Sequence, residues 1–576
     1  MLILIIAIFC FCAAYTTILT QENLGDFVGI LSNDGTNEQK MAEVWTTLWW
    51  VLGYLGGAIV SMIISGFFSA FYTAKFCERM RLSIFKKVND MSFSDVGEFS
   101  IPSLITRCTT DVQQVQEMLS FGRMLLTAIF TLIVAFWRIG VINLSLSAIS
   151  ITAMVALILA IFVILIIVLP KLKKVQYATD RLNLAARESL SGIRVIRAYD
   201  AEKYQANKFS LVNKMFYHLN VFVNRCTGLM FPLIALFISG ITLALYWIGA
   251  FFIDSGALSA TTGIEDIAKF NSITISILFA LLMCIMFFVT LAPAIVSLKR
   301  INAVTNAKLE INDPAKPAHF KPSGDLEFRN VSFRYKNADS DVLHNISFKI
   351  KEGQTVAFIG ATGCGKTSLM DLIPRFHDVT AGEILINGVN IKDIRQNDLR
   401  DAIGYVPQKS FLFAGTVAHN IKYGKNISDQ RMLKAAQIAC AWDFIKKLDK
   451  KFNANVASGG KNFSGGQRQR ICIARALALE PKIFVFDDSF SALDYKTDQI
   501  VRENIRRELP SITNVIVAQR IGTILNCDQI FVLEKGKIVG HGTHDQLMHS
   551  CPTYKEIAYS QLSKEELAKI TKGAQN

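Results

Sequence analysis

The run Gly360-Ala-Thr-Gly363-Cys364-Gly365-Lys366-Thr367-Ser368 is where side-chain type and spacing speak most directly of chemistry. It fits GxxxxGK[ST] between an expected strand and an expected helix. Gly360, Gly363 and Gly365 let backbone N–H groups turn toward phosphate oxygens, Cys364 adds its own N–H, and the helix start through Ser368 supplies partial positive charge. Lys366 can reach the outer phosphates of a nucleoside triphosphate, and the Thr367 hydroxyl suits Mg²⁺. Farther along, the apolar run Ile483-Phe-Val-Phe486 ends in Asp487-Asp488. A strand ending there puts the Asp487 carboxylate beside a metal held by Thr367, and Asp488 where a base for an attacking water belongs. Between these motifs, Ser464-Gly465-Gly466-Gln467 opens a helical stretch and forms a second anion-binding end. The first loop already serves the chain's own triphosphate, so a second end implies that each nucleotide is gripped by two chains.

Elements able to position these groups are legible around them. Residues 346–350, 355–359, 383–386, 403–406, 483–486, 515–517 and 530–533 read as short strands alternating with helical stretches, an α/β domain. Ahead of it, Pro314, Pro317 and Pro322 with Lys316, His319 and Lys321 make a helix-hostile linker. Before residue 300 the chain is mostly apolar. Residues 2–19, 45–72, 121–139, 144–169, 226–253 and 273–296 are each long enough, at about 20 residues, to cross a hydrocarbon layer of ~30 Å. Arg123 and Arg138 sit near the ends of the third, where snorkelling can serve them. No basic residue precedes the first span, which reads as an anchor that stays and not as a signal peptide.

Composition agrees. The 576 residues are 51% hydrophobic and 19% charged, which excludes a disordered, collagen-like or coiled-coil chain. The net charge of +14 needs no nucleic-acid partner. Its basic residues gather in loops 75–120 and 171–225, whereas 21–43 and 254–269 are acidic, so the long loops and both termini belong in the cytoplasm. Helical periodicity runs through both long loops, broken at 97–102 and 198–204, where a hairpin can turn. The 11 cysteines form no CxxC pair, and His541 with His544 does not read as a metal pair.

With these motifs in this order, the whole chain resembles an ATP-binding cassette exporter half-transporter. The resemblance implies an α-helical membrane domain of six transmembrane helices extended into the cytoplasm (1–300), a linker (301–323), an α/β P-loop ATPase domain (324–563) and a tail (564–576). In family terms Gly360–Thr367 is the Walker A loop, Asp487 the Walker B aspartate and Ser464–Gln467 the signature. Tyr335 resembles the aromatic that stacks on adenine, Gln408 the glutamine that joins Mg²⁺, and Asp494 closes the loop that crosses to the opposite cassette. Tips near 94–99 and 198–206 match coupling helices, and the family's elbow helix ahead of the first span is missing.

Two positions depart from the family. Asp488 stands where hydrolytic sites carry Glu, and Gln519 in Val-Ala-Gln-Arg where the switch histidine stands. A carboxylate withdrawn by roughly 1.5 Å costs rate, since a misplacement of about 1 Å can cost ~10²-fold. An amide never carries imidazole's charge. The chain's own site is therefore expected to bind ATP and hydrolyse it weakly, while the intact signature completes a hydrolytic site on a partner. This resembles the degenerate-site subunit of bacterial heterodimeric multidrug exporters, with a different half-transporter as partner, the cell membrane as its place and amphipathic or apolar compounds as cargo. The alternatives are a homodimeric lipid or peptide flippase, and a nucleotide-gated channel-like protein.

Overall fold

The computed structural model describes residues 1–32, 36–142, 144–256, 260–336 and 338–561. The chain divides into two units: Met1–Lys87 with Leu104–Asn306, and Val88–Ser103 with Ala307–Asn576.

The first unit is helical. Its principal helices are Leu2–Ser32, Asn37–Asn89, Val112–Ile142, Leu144–Ser191, Glu202–Gly228, Met230–Asp254 and Ala260–Thr305. Among the described residues five helical stretches are long and apolar enough to cross a membrane: Leu2–Leu31, Asn37–Asn89, Ile101–Ile142, Ala235–Asp254 and Gly263–Thr305. The expected span at 144–169 is helical too, but many of its side chains lie outside the described residues. At 1.5 Å per residue the 53-residue helix Asn37–Asn89 is about 80 Å long, far beyond the bilayer, as the periodicity of the long loops foretold. The last helix continues past residue 300 to Thr305, because no breaker precedes Pro314. The second hairpin turns within the expected 198–204, but its short helix precedes the expected tip at 198–206. Its short isolated helix is Ile193–Ala198, the turn follows with Asp200 at φ 48°, and Glu202 already starts the next long helix.

Three charged groups also depart from the sequence reading. The first helix runs on to Ser32 and carries Glu22 and Asp26, which composition alone assigned to a loop. Arg138 does not snorkel. Its guanidinium forks onto Glu22, with Nε donating to Oε1 at 2.5 Å, and Glu22 is only 5% exposed. Lys269 reaches Asp26 at 2.5 Å and pairs with Glu265 as well. Close approach is possible because the helix offers Gly25 and Gly29 here: a Cβ on Gly25 would strike Lys269, and one on Gly29 would come within 2.6 Å of the Glu265 carboxylate. Below these pairs Ile18, Val134, Ile139, Leu245, Phe270 and Ile273 form the buried core of the unit.

The second unit carries the motifs. One sheet is antiparallel, in the order Leu343–Ile350, Leu326–Phe333, Ala381–Ile386, Val389–Asn390. A second has six strands, Lys537–Gly542, Gln529–Glu534, Thr355–Ile359, Thr513–Val517, Ile483–Asp487 and Ile403–Val406, parallel except at the Lys537–Gly542 edge, and Gly415–Thr416 pairs with Asn455–Val456 in a small third. Burial follows topology. Ile483–Asp487 and Thr513–Val517 are buried along their whole length, whereas Leu343–Ile350 largely alternates. Strands Leu326–Phe333 and Lys537–Gly542 were not expected: the first is diluted by Glu327, Arg329 and Asn330, the second by two glycines. Val88–Ser103 packs within this unit. Ser92 caps helix Phe93–Phe99 through a capping box with Asp95, Phe93 meets the Phe376 ring edge-on at 5.0 Å, and the Ser94 hydroxyl lies 3.1 Å from His377 Nδ1.

Breaking a buried ion pair on one side leaves an uncompensated charge. Arg138→Leu is accordingly expected to destabilise the detergent-solubilised protein by about 3 kcal/mol, and adding Glu22→Leu to restore most of it. Thermal unfolding of the single and double variants measures this, and equal midpoints for all three proteins would contradict it.

Candidate functional site

The central strands are in register, with Val517 opposite Asp487 on one side and Phe358 on the other. Their C-terminal ends therefore deliver the phosphate loop, the paired aspartates and the segment after Val517 to one level, where parallel sheets bind ligands.

In the loop, Gly363 and Gly365 take φ of 82° and 102°, the left-handed region that glycine enters freely. A Cβ on Gly365 would also come within 2.8 Å of Leu343 Cδ2. The Lys366 ammonium lies in the mouth of the loop, donating to the carbonyls of Gly360 at 2.7 Å and Ala361 at 2.8 Å, with Cys364 Sγ at 3.6 Å. Lys366–Leu372 is the helix that follows. From it the Thr367 hydroxyl donates to Asp487 Oδ1 at 3.3 Å. Asp487 is 2% exposed, and burial pushes its carboxyl up to about 6, with the Thr367 hydrogen bond opposing and Asp371 and Asp488 adding to the rise. Two hard oxygen ligands this close, one a carboxylate that burial leaves short of a counter-charge, fit Mg²⁺. Thr367 and Asp487 would hold it, and Gln408 stands nearby.

Asp488 has a different surrounding. It follows the strand at φ 48°, a left-handed conformation that Asp adopts more readily than most side chains. Its Oδ2 accepts from Gln519 Nε2 at 2.7 Å and from Gln408 Nε2 at 3.1 Å. Burial raises its pKa, and the hydrogen bonds from Gln408 and Ser491 oppose the rise. The Nε2 of Gln408 is thus committed to Asp488, and only its carbonyl oxygen is left for a metal.

The remaining expected residues occupy three places. The Tyr335 hydroxyl is 2.8 Å from Ser368 Oγ, and its ring meets Phe333 and His377 edge-on at 4.8 and 5.4 Å. Ser464 and Gln467 close a capping box on helix Gly465–Ala478, Ser464 Oγ accepting from Gln467 N at 3.3 Å and Gln467 Oε1 from Ser464 N at 3.0 Å. None of these bonds reaches the phosphate loop of the same chain. A Cβ on Gly466 would instead lie 3.3 Å from the Ala492 carbonyl, so this cap stands beside the loop ending at Asp494. Asp494 caps helix Tyr495–Glu508, and the two hydrogen bonds it accepts from Thr497, both at 3.0 Å, lower its pKa.

Sequence reasoning missed Asp371 and Tyr405. The Tyr405 hydroxyl donates to Asp371 Oδ1 at 2.8 Å, and burial raises the Asp371 pKa. Asp371 lies four residues after Thr367 on the same helix, a spacing that put it on the same face.

The family model for the ABC transporter ATPase matches residues 343–491, and that for the ABC transporter transmembrane region matches residues 2–264. An ABC transporter ATP-binding protein of Mycobacterium tuberculosis is 35% identical over 499 residues, 85% of this chain and 84% of that protein. An ATP-dependent lipid A-core flippase of Syntrophus aciditrophicus is 31% identical over 492 residues, 85% of this chain and 81% of that one. The structure of a bacterial Atm1-family ABC exporter with ATP bound superposes with a TM-score of 0.80 at 24% identity, over 97% of this chain and 98% of the other.

An Asp whose folded-state pKa is raised costs stability while ionised, and the cost disappears as pH falls from the folded value to the unfolded one. For Asp487 that window runs from about 6 down to its ordinary 3.8. Asp487→Asn is expected to stabilise the nucleotide-free protein by roughly 2 kcal/mol at pH 7.5, a gain fading between about pH 6 and pH 4. Thermal unfolding across that range measures it, and a gain independent of pH would refute the cause given.

Proposed function

This chain belongs to the ABC transporter family, a helical membrane domain fused to an ATPase domain, and on that premise we propose that it is one half of a heterodimeric exporter whose own ATP site is degenerate. Its domains are then a membrane domain over 1–300, a linker over 301–323, a cassette over 324–563 and a tail over 564–576, with the cassette in the cytoplasm and the spans in the cell membrane. A second, different half-transporter supplies the other cassette.

One observation carries the reading: a single oxygen of Asp488 is held by the carboxamides of both Gln519 and Gln408, at 2.7 and 3.1 Å. A carboxylate engaged this way and seated one methylene back is poorly placed to take a proton from water, and Gln519 has no titratable nitrogen to assist. The chain's own residues bind instead. Loop N–H groups and Lys366 grip the phosphates, Tyr335 leaves Ser368 to stack on adenine, and Thr367 and Asp487 would hold Mg²⁺, with the Gln408 carbonyl oxygen free to join them while its Nε2 stays on Asp488; the ion would neutralise phosphate charge. Ser464–Gln467 presents its helix end to the partner's ATP, where hydrolysis proceeds. Tighter ATP binding to the closed cassette pair drives the membrane helices, and helix Phe93–Phe99, seated on Phe376 and His377, passes the motion on. The cargo is amphipathic or apolar.

A homodimeric lipid flippase is the second reading, favoured by the activity for which the Syntrophus aciditrophicus relative is named. Co-purification decides between them: the heterodimer requires a distinct half-transporter to accompany this chain, whereas full activity of the chain alone favours the flippase. ATP-dependent uptake into inverted vesicles against a gradient is expected of either, and passive conductive flux of neither. Asp488→Glu with Gln519→His is expected to raise ATP turnover of the complex severalfold, up to roughly the tenfold range. Phosphate release measures it, and an unchanged rate overturns the degenerate-site reading.

A further inference from the structure

The segment that carries Gln519 has no regular structure of its own. It runs from the end of strand Thr513–Val517 to the short helix Ile521–Ile524. On its upstream side, the Ala518 N–H donates to the Phe358 carbonyl at 3.2 Å, tying it to the strand ahead of the phosphate loop. On its downstream side the grip comes from the far end of the chain. Gln561 Oε1 accepts from the Ile521 N–H at 2.9 Å, and Gln561 Nε2 donates to the Gln519 carbonyl at 2.6 Å. One carboxamide thus holds the backbone on both sides of Arg520.

The placement of Gln561 follows from its helix. Pro552–Gln561 buries Tyr554 and Ala558 against the cluster that contains Ile521 and Ile524. Positions four and seven after Tyr554 share its face, so Gln561 is carried to the same seam. The Tyr554 hydroxyl lies 2.7 Å from His544 Nδ1, and the Thr553 hydroxyl donates to Glu534 at 2.9 Å, so the helix is fixed independently of its last residue. The chemistry of the grip is specific: one bond needs an acceptor and the other a donor, which a carboxamide supplies and a carboxylate does not.

We propose that Gln561 is a positioning residue for the nucleotide site: by clamping the backbone around Arg520 it sets where the Gln519 carboxamide meets Asp488. This goes beyond the degenerate-site reading and rests on it only in taking Asp488 and Gln519 as members of that site.

Hydrogen exchange on the purified full-length transporter reads the clamp. Gln561→Ala is expected to speed exchange at the Ile521 amide about tenfold while the amides from Lys555 to Ala558 keep their protection. Gln561→Glu, equal in size but lacking the donor, should fall between the two. Unchanged exchange at Ile521, or protection lost along the whole helix, overturns the proposal, the second because it would mean a merely structural role. Steady-state kinetics reads the consequence where this site is made to turn over: in the Asp488→Glu, Gln519→His background, adding Gln561→Ala should lower kcat for ATP at least about threefold with KM within about twofold. An unchanged kcat, or a change confined to KM, also overturns it. The degenerate-site reading is judged separately, by the Asp488→Glu and Gln519→His variant with Gln561 intact.

Discussion

Val517 stands level with Asp487 on one neighbouring strand and with Phe358 on the other, and all three strands are buried along most of their length. Side chains inside such a sheet have only packing to do. Polar groups are confined to the strand ends, and register decides which of them meet. The phosphate loop, the aspartate pair and the Gln519 segment converge because a one-residue slip of the ladder would carry a strand end about 3.3 Å along its axis and swap the faces its side chains pack against. The antiparallel sheet beside it alternates, and it contributes Tyr335 only from just beyond the end of Leu326–Phe333.

At those strand ends two adjacent aspartates meet opposite fates. Asp487 keeps one hydroxyl partner and a raised pKa, the state of an anion short of positive charge. One oxygen of Asp488 is engaged by two neutral donors, which quiet a carboxylate without supplying a cation. Its positive φ adds a backbone reason for a short side chain at that position. The membrane unit solves the same problem by the other available route, since Glu22 and Asp26 are met by Arg138 and Lys269.

Much of this was legible in the sequence because the motifs are local. Gly360–Thr367, Asp487 and Ser464–Gln467 occupy the strand ends and helix starts that their spacing implies. What was not legible depends on groups distant in the chain. Asp371 meets Tyr405 across 34 positions and Gln519 meets Gln561 across 42. Nothing in the composition of 21–43 tells that Glu22 and Asp26 continue a helix, because what makes it possible is the pair of facing cations at positions 138 and 269. Strand Leu326–Phe333 was missed for a related reason: an extra residue at Asn330, with φ 49°, breaks its alternation of apolar and polar residues, and the irregular register with its antiparallel partners accommodates it.

The glycines at 25 and 29 give the first helix a flat strip, where the last membrane helix comes almost backbone to backbone at Gly25 and lays the Glu265 side chain across Gly29. Opposite charges in a membrane protein are useful only if no lipid tail or stray water slips between them, and that exclusion is a matter of fit. A single methyl group on Gly25 would act as a wedge, prising the seam open by a fraction of its own width and letting solvent weaken the attractions along it. The tolerance of this corner is thus smaller than one carbon atom, and the residues that set it carry no charge at all.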